Sequence, residues 1–287
     1  MRALAAHASV LFDPLTTFGG YMLIESTAHL PAGLALLDGM FHAPSGQEFA
    51  KITLRWLHFV AGITWIGLLY FFNLVNVQFQ KGLDAETKKK VNPDLLGRTL
   101  WYFRWGALVT VLVGFGYYAM YILRPDVVNA RNLGGGQAHT SIVLLVWLLL
   151  PIITFAIEFG IIQKVSALTK DGRVLAVVIL ILVGLMAALI IYWINTELTI
   201  KGTSYASNKS FSIGIGGALG LIMLLNVWGI IWPAQKRIIA GMQGGPAAAP
   251  ELARRAFLAS RANAWLSLPM LLFMAASHGD WIIFGPK

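Results

Sequence analysis

Long apolar stretches separated by short charged segments dominate the chain. Crossing about 30 Å of hydrocarbon takes roughly 20 helical residues. Six stretches meet that length: 53–79, 99–123, 140–163, 174–196, 211–233 and 264–284. Their interiors are rich in Leu, Ile, Val, Phe and Gly and lack period-two alternation. This argues against a β-barrel and predicts an all-α fold, a polytopic transmembrane helical bundle. Residues 15–41 are also apolar but carry Glu25, His29, Pro31 and Asp38. They read as an interfacial or tilted helix, the one candidate seventh span. The chain divides into an N-terminal extension over 1–50 and a transmembrane domain over 51–287. A cleaved signal peptide is not expected, because no compact basic start precedes a clean apolar core.

Composition strengthens this reading. Of 287 residues, 57% are hydrophobic and 12% charged, about half the charged share of a soluble domain. The net charge of +9 lies between the apolar blocks, not in one basic stripe, so a lipid bilayer and no nucleic acid is the expected partner. The 80–98, 164–173 and 234–263 loops hold thirteen Lys and Arg, against four in 124–139 and 197–210. By the positive-inside rule the basic loops are cytoplasmic and the C-terminus lies outside, as in a bacterial inner membrane protein. The chain has no cysteine, which excludes disulfides, zinc thiolates, iron–sulfur clusters and covalent c-type haem. Residues 241–250 read as a flexible loop, and Gly216 and Gly220 as a small-residue pair for close helix packing.

Ionisable groups inside spans are costly and are therefore functional candidates. In the first span His58, Gly62 and Trp65 share one helix face, with Arg55 a turn above. A glycine below a histidine leaves room for a flat ligand. The last span carries Pro269, Ser277 and His278. Counted from the outer ends of their spans, His58 and His278 lie at a similar depth, roughly 8–9 Å at 1.5 Å per residue. Two histidines at one depth on different helices suit the axial positions of a haem iron, and Arg55 suits a haem propionate. The expected cofactor is haem b; the alternative is that each histidine hydrogen-bonds between helices. His7, His29, His42 and His139 read as interfacial.

A second polar group is expected toward the cytoplasmic side: Asn73, Asn76, Arg104, Glu158 and Asn226. Arg104 and Glu158 read as an ion pair that fixes helix register, or as part of a proton or substrate path. Trp101, Trp105, Trp228 and Trp232 read as interfacial anchors.

Four blocks of residues, in order, resemble the PuuD urate hydroxylase family. They are Leu54-Arg55-Trp56-Leu57-His58 to Trp65-Ile66-Gly67; Trp101-Tyr102-Phe103-Arg104-Trp105 with Thr110 and Gly114; Asn226 through Trp232-Pro233-Ala234-Gln235-Lys236; and Asn263, Leu268-Pro269 and Ser277-His278. The first block alone is shared with HemJ-like and CopD-like membrane proteins. The resemblance implies a membrane oxidoreductase that converts urate to 5-hydroxyisourate and passes electrons to a c-type cytochrome. In that family a cytochrome domain usually follows the membrane domain; the absence of cysteine makes a separate cytochrome the expected partner here. Where the family has His-Asn-Asn-Tyr, this chain has Ala262-Asn263-Ala264-Trp265. Two alternatives stand beside the oxidoreductase: a haem-binding or accessory electron-transfer subunit, and a CopD-like permease or metal-handling protein.

Overall fold

Among the residues that the computed structural model describes (43–164, 171–278 and 282–284), six helices are long and apolar enough to cross a membrane. They are α1 (Gly46–Lys81), α2 (Ala85–Asn132), α3 (Thr140–Lys164), α4 (Gly172–Leu198), α5 (Asn208–Met242) and α6 (Pro250–Ala276). They lie within one compact unit, Ser45–Lys287. The helix expected over 15–41, with His7, His29 and His42, lies outside the described residues.

Local chemistry sets the helix starts. Ser45 and Glu48 form a reciprocal capping box ahead of α1. Asp84, Asp171 and Ser207 cap α2, α4 and α5 by accepting from first-turn amides, and Pro250 opens α6. The last helix departs from its predicted range of 264–284. It begins at Pro250 and stops at Ala276, because Ser277 Oγ and His278 Nδ1 both donate to the Met274 carbonyl, at 2.7 and 3.0 Å, and close the helix end. Three helices contain a π-helical turn, at Phe71–Asn76, Ala119–Leu123 and Val227–Ile231.

The helix that organises the bundle is α5. Buried residues make up 67% of its apolar window, against 17–33% for the other five. It packs most extensively on α6, then on α2, α3 and α4. Gly216 brings it onto α6, where an added methyl would lie 3.2 Å from the Met270 carbonyl; Gly220 meets nothing within 4 Å. The outer surfaces of α1, α3 and α4 are apolar and exposed, with Ile63, Leu145, Ile153, Leu180 and Leu185 each more than half accessible. A surface of this kind belongs in hydrocarbon, and the protein is a multi-pass membrane protein.

Consecutive helices alternate in direction. One end of the bundle collects the starts of α1, α3 and α5 and the ends of α2, α4 and α6. There a two-stranded hairpin, β1 (Thr199–Ile200) and β2 (Thr203–Ser204), turns through Lys201 (φ 51°) and Gly202 (φ 82°). Two positive φ values in succession are the turn that matches strand twist.

Candidate functional site

The residues of the first block face α2 in a regular ladder. Lys51 stands 5.6 Å from the Tyr121 ring centroid, and Arg55 stands 6.0 Å from that of Tyr117. One turn further, His58 donates Nδ1–H to the Thr110 carbonyl at 2.8 Å. Its ring fills the notch at Gly114, where an added Cβ would lie 2.7 Å from both Nδ1 and Cε1. Gly62 then faces Thr110, and Trp65, 1% exposed, lies against Gly106. The small residues Gly106, Thr110 and Gly114 recur every four positions on α2 and set this close approach. Beside Gly62 stands Thr110, whose methyl would lie 3.6 Å from an added Cβ, an ordinary contact.

His278 sits just past the end of α6. Its Nδ1 lies 2.7 Å from Ser277 Oγ as well as 3.0 Å from the Met274 carbonyl. Since α6 ends at Ala276 and α1 starts at Gly46, the equal depths expected from apolar windows do not hold as counted: His58 lies twelve residues inside its helix, and His278 lies beyond its own. Both nevertheless stand at the end of the bundle that collects the start of α1 and the end of α6. The two imidazoles are close enough to interact electrostatically.

In both histidines a carbonyl takes the Nδ1 proton, which leaves the Nε2 lone pair with no hydrogen-bond partner among the described residues. That is the arrangement by which outer groups orient a metal-ligating imidazole. Among the described residues no cluster of three or more His, Asp or Glu would chelate a bare ion. A haem iron asks for two axial ligands only, and two imidazole Nε2 atoms are donors of that kind. Arg55 stands at the same end without an ion-pair partner among the described residues, as an anion partner for a propionate would, and Lys51, one turn before it, lies within electrostatic range of Glu48.

Three contributors escape a reading of the sequence. Thr110 and Gly114 hold the His58 ring, and their spacing of four within the second block was the available signal. Asn208 holds the other histidine's segment: its Nδ2 donates to the Ala276 carbonyl at 2.9 Å, and its Oδ1 accepts from the Ile283 and Phe284 amides, each at 3.1 Å. No signal in the chain singles it out.

The polar residues expected to form one second group fall into three. In the bundle core, Asn226 donates to Glu158 Oε1 and to Asn263 Oδ1, each at 3.0 Å, and Asn263 donates to the Met223 carbonyl. Among the described residues Glu158 Oε2 and Asn226 Oδ1 have no partner. An acidic residue at the bilayer centre costs about 2.5–3.5 kcal/mol, and one neutral hydrogen bond returns only about 1 kcal/mol. Glu158 is therefore under-compensated by its surroundings. Further along, Asn73 donates to Ser260 Oγ at 2.9 Å, while Asn76 and Asn92 bond to Gln80. These amides line a cavity of about 240 Å3. Arg104 stands apart. It forms no ion pair with Glu158; its guanidinium lies 3.7 Å from the Trp232 ring centroid and 5.8 Å from that of Trp228. The expected pair fails because Trp228 and Trp232, read as interfacial anchors, enter the α2–α5 contact and take the cation. Trp101 and Trp105 are exposed as an interfacial belt requires.

A family model described as Urate oxidase N-terminal matches residues 45–285. The chain belongs to the urate oxidase N-terminal family. The match runs through all six helices of this family member, from the capping box at Ser45 past His278, and contains all four sequence blocks. No curated protein and no solved structure matches the chain. Within this urate oxidase N-terminal domain, the paired histidines at one end and the Glu158–Asn226–Asn263 triad in the core are the two places where polar chemistry concentrates.

Proposed function

We propose that the protein is a membrane oxidoreductase of PuuD type, which oxidises urate and delivers electrons to a separate periplasmic c-type cytochrome, with haem b held by His58 and His278. The observation that carries this reading is the pair of imidazoles at one end of the bundle, each with Nδ1 committed to a carbonyl and Nε2 uncommitted. Membership of the urate oxidase N-terminal family supports urate as the substrate. When bound, haem supplies one-electron steps between a substrate oxidised by electron pairs and an acceptor that takes electrons singly.

The chain's own residues hold and orient. Thr110 and Gly114 fix the His58 ring; Ser277 and the Met274 carbonyl fix His278; Asn208 ties down the segment around it. Arg55 and Lys51 supply positive charge for an anionic group. The distribution of Lys and Arg supports an inner-membrane orientation with this end and the C-terminus outside, where a periplasmic cytochrome docks.

The test is an absorption spectrum of the detergent-solubilised protein. A low-spin b-type spectrum is expected, with the Soret and α bands lost in His58→Ala and in His278→Ala. Variants that both keep the wild-type bands would refute the ligand assignment.

A second reading, an accessory electron-transfer subunit without urate activity, is favoured by Ala262, which stands where the family has histidine and lines a groove on the outside of α6. The two readings separate on the reductant. Reduction of the bound haem by excess urate supports the first, and reduction by dithionite alone supports the second.

A further inference from the structure

Away from both polar sites, α4 and α6 touch each other sparsely and leave a groove of about 700 Å3 between them. Its floor is apolar. Leu175, Ile179 and Val183 follow at one-turn spacing on α4, all buried, and Leu266 of α6 joins them. At the rim, Leu180, Trp265 and Leu268 are each more than half exposed, so the groove opens toward hydrocarbon.

At one end the lining changes character. Arg173, Arg254 and Arg261 line it there, with Asp171 as the one acidic residue among the described lining residues. Asp171 already accepts from the Arg173 amide at 2.9 Å as the cap of α4, and the mouth keeps an excess of positive charge. The Arg261 guanidinium lies 5.3 Å from the Phe257 ring centroid, which steadies it on this face of α6. Arg173 occupies the first turn of α4, and Arg261 lies just before the apolar window of α6. Both cations thus stand at the level of the membrane surface, and the apolar floor runs inward from them.

A cationic mouth at the membrane surface, followed by an apolar floor open to hydrocarbon, has the polarity of a phospholipid. We propose that the groove holds one anionic phospholipid, its phosphate bonded by Arg173 and Arg261 and one acyl chain laid along Leu175, Ile179 and Val183. Guanidinium groups pair with phosphate oxygens in fixed fork geometry. Basic pockets between transmembrane helices select anionic head groups, because a zwitterionic lipid brings a second cation to the same mouth. The lipid fills the gap between two weakly packed helices and so becomes part of the bundle's lateral packing.

Native mass spectrometry in mild detergent, with phosphatidylglycerol or phosphatidylcholine added and thermal unfolding followed in parallel, tests the proposal. Phosphatidylglycerol is expected to bind in preference and to raise the unfolding midpoint. In the double variant Arg173→Gln, Arg261→Gln its binding should weaken roughly thirtyfold, with phosphatidylcholine binding unchanged. Equal binding of the two lipids by the wild-type protein overturns the proposal, as does a double variant that keeps the preference. Inorganic phosphate should neither displace the lipid nor raise the midpoint; if it does both, the site reads a free anion and the lipid assignment fails. Should the double variant not fold, the wild-type comparison of the two lipids decides alone.

Discussion

The ring of His58 is held by two residues whose contribution is shape and a main-chain oxygen. Gly114 leaves the notch that the imidazole fills, and the Thr110 carbonyl takes its Nδ1 proton. A methyl at position 114 would meet Cε1 and Nδ1 at 2.7 Å, inside any tolerated contact, so the ring must leave and its hydrogen bond with it. Gly114→Ala is expected to abolish the His58-dependent haem bands and to cost about 1–3 kcal/mol of stability through overpacking. Gly67→Ala, where nothing lies within 4 Å, should change neither. Absorption spectra and thermal melts of the two variants check this. His58 and His278 were legible in the sequence because an ionisable group in an apolar window stands out. Thr110, Gly114 and Asn208 were not, because each acts through a carbonyl, a missing side chain or an amide cap. The Arg104–Glu158 pair was misread for a related reason. Position along a helix gives depth, but which face meets which neighbour is decided by packing, and Trp232 reaches the guanidinium.

For the helices, apolar windows located every crossing but not the ends, since hydrophobicity reports contact with lipid while caps decide where helices start and stop. The window at 264–284 belongs to a helix that Pro250 opens and that Ser277 and His278 close. The hairpin at Thr199–Ser204 left no alternating signal because its strands are two residues each. One cap makes a pH-dependent prediction. Asp84, exposed ahead of α2, accepts from the Thr87 hydroxyl and from the Thr87 and Glu86 amides. The Thr87 hydroxyl first, then these amides, hold its carboxyl below the usual carboxylate range. The stabilisation is fully present above the ordinary value of 3.8 and is lost as pH falls through the lowered one. Amide exchange at Glu86 and Thr87 should be protected at neutral pH, and that protection should fade in acid; in Asp84→Ala it should be weak at both.

The whole molecule carries its orientation in its charges, and absence of cysteine makes that orientation easy to read out. Gln137 and Gln243 are exposed at opposite ends of the bundle. With the basic loops cytoplasmic, an impermeant thiol reagent added to intact cells should label Gln137→Cys and spare Gln243→Cys until the membrane is opened. The reverse pattern would turn the paired histidines toward the cytoplasm and remove the case for a periplasmic acceptor.

The ladder between α1 and α2 has a consequence in time. These helices are joined by a turn of three residues, 82–84, and pack closely on each other. Contacts so local in sequence form early, with little loop entropy to overcome. During synthesis the hairpin can close, and seat His58 against Gly114, before α3 has left the ribosome. His278 follows the last of the six helices. Half of the candidate centre is thus assembled from the first pair of spans and waits for the final one, so a chain truncated before α6 would insert with one imidazole in position and none to face it.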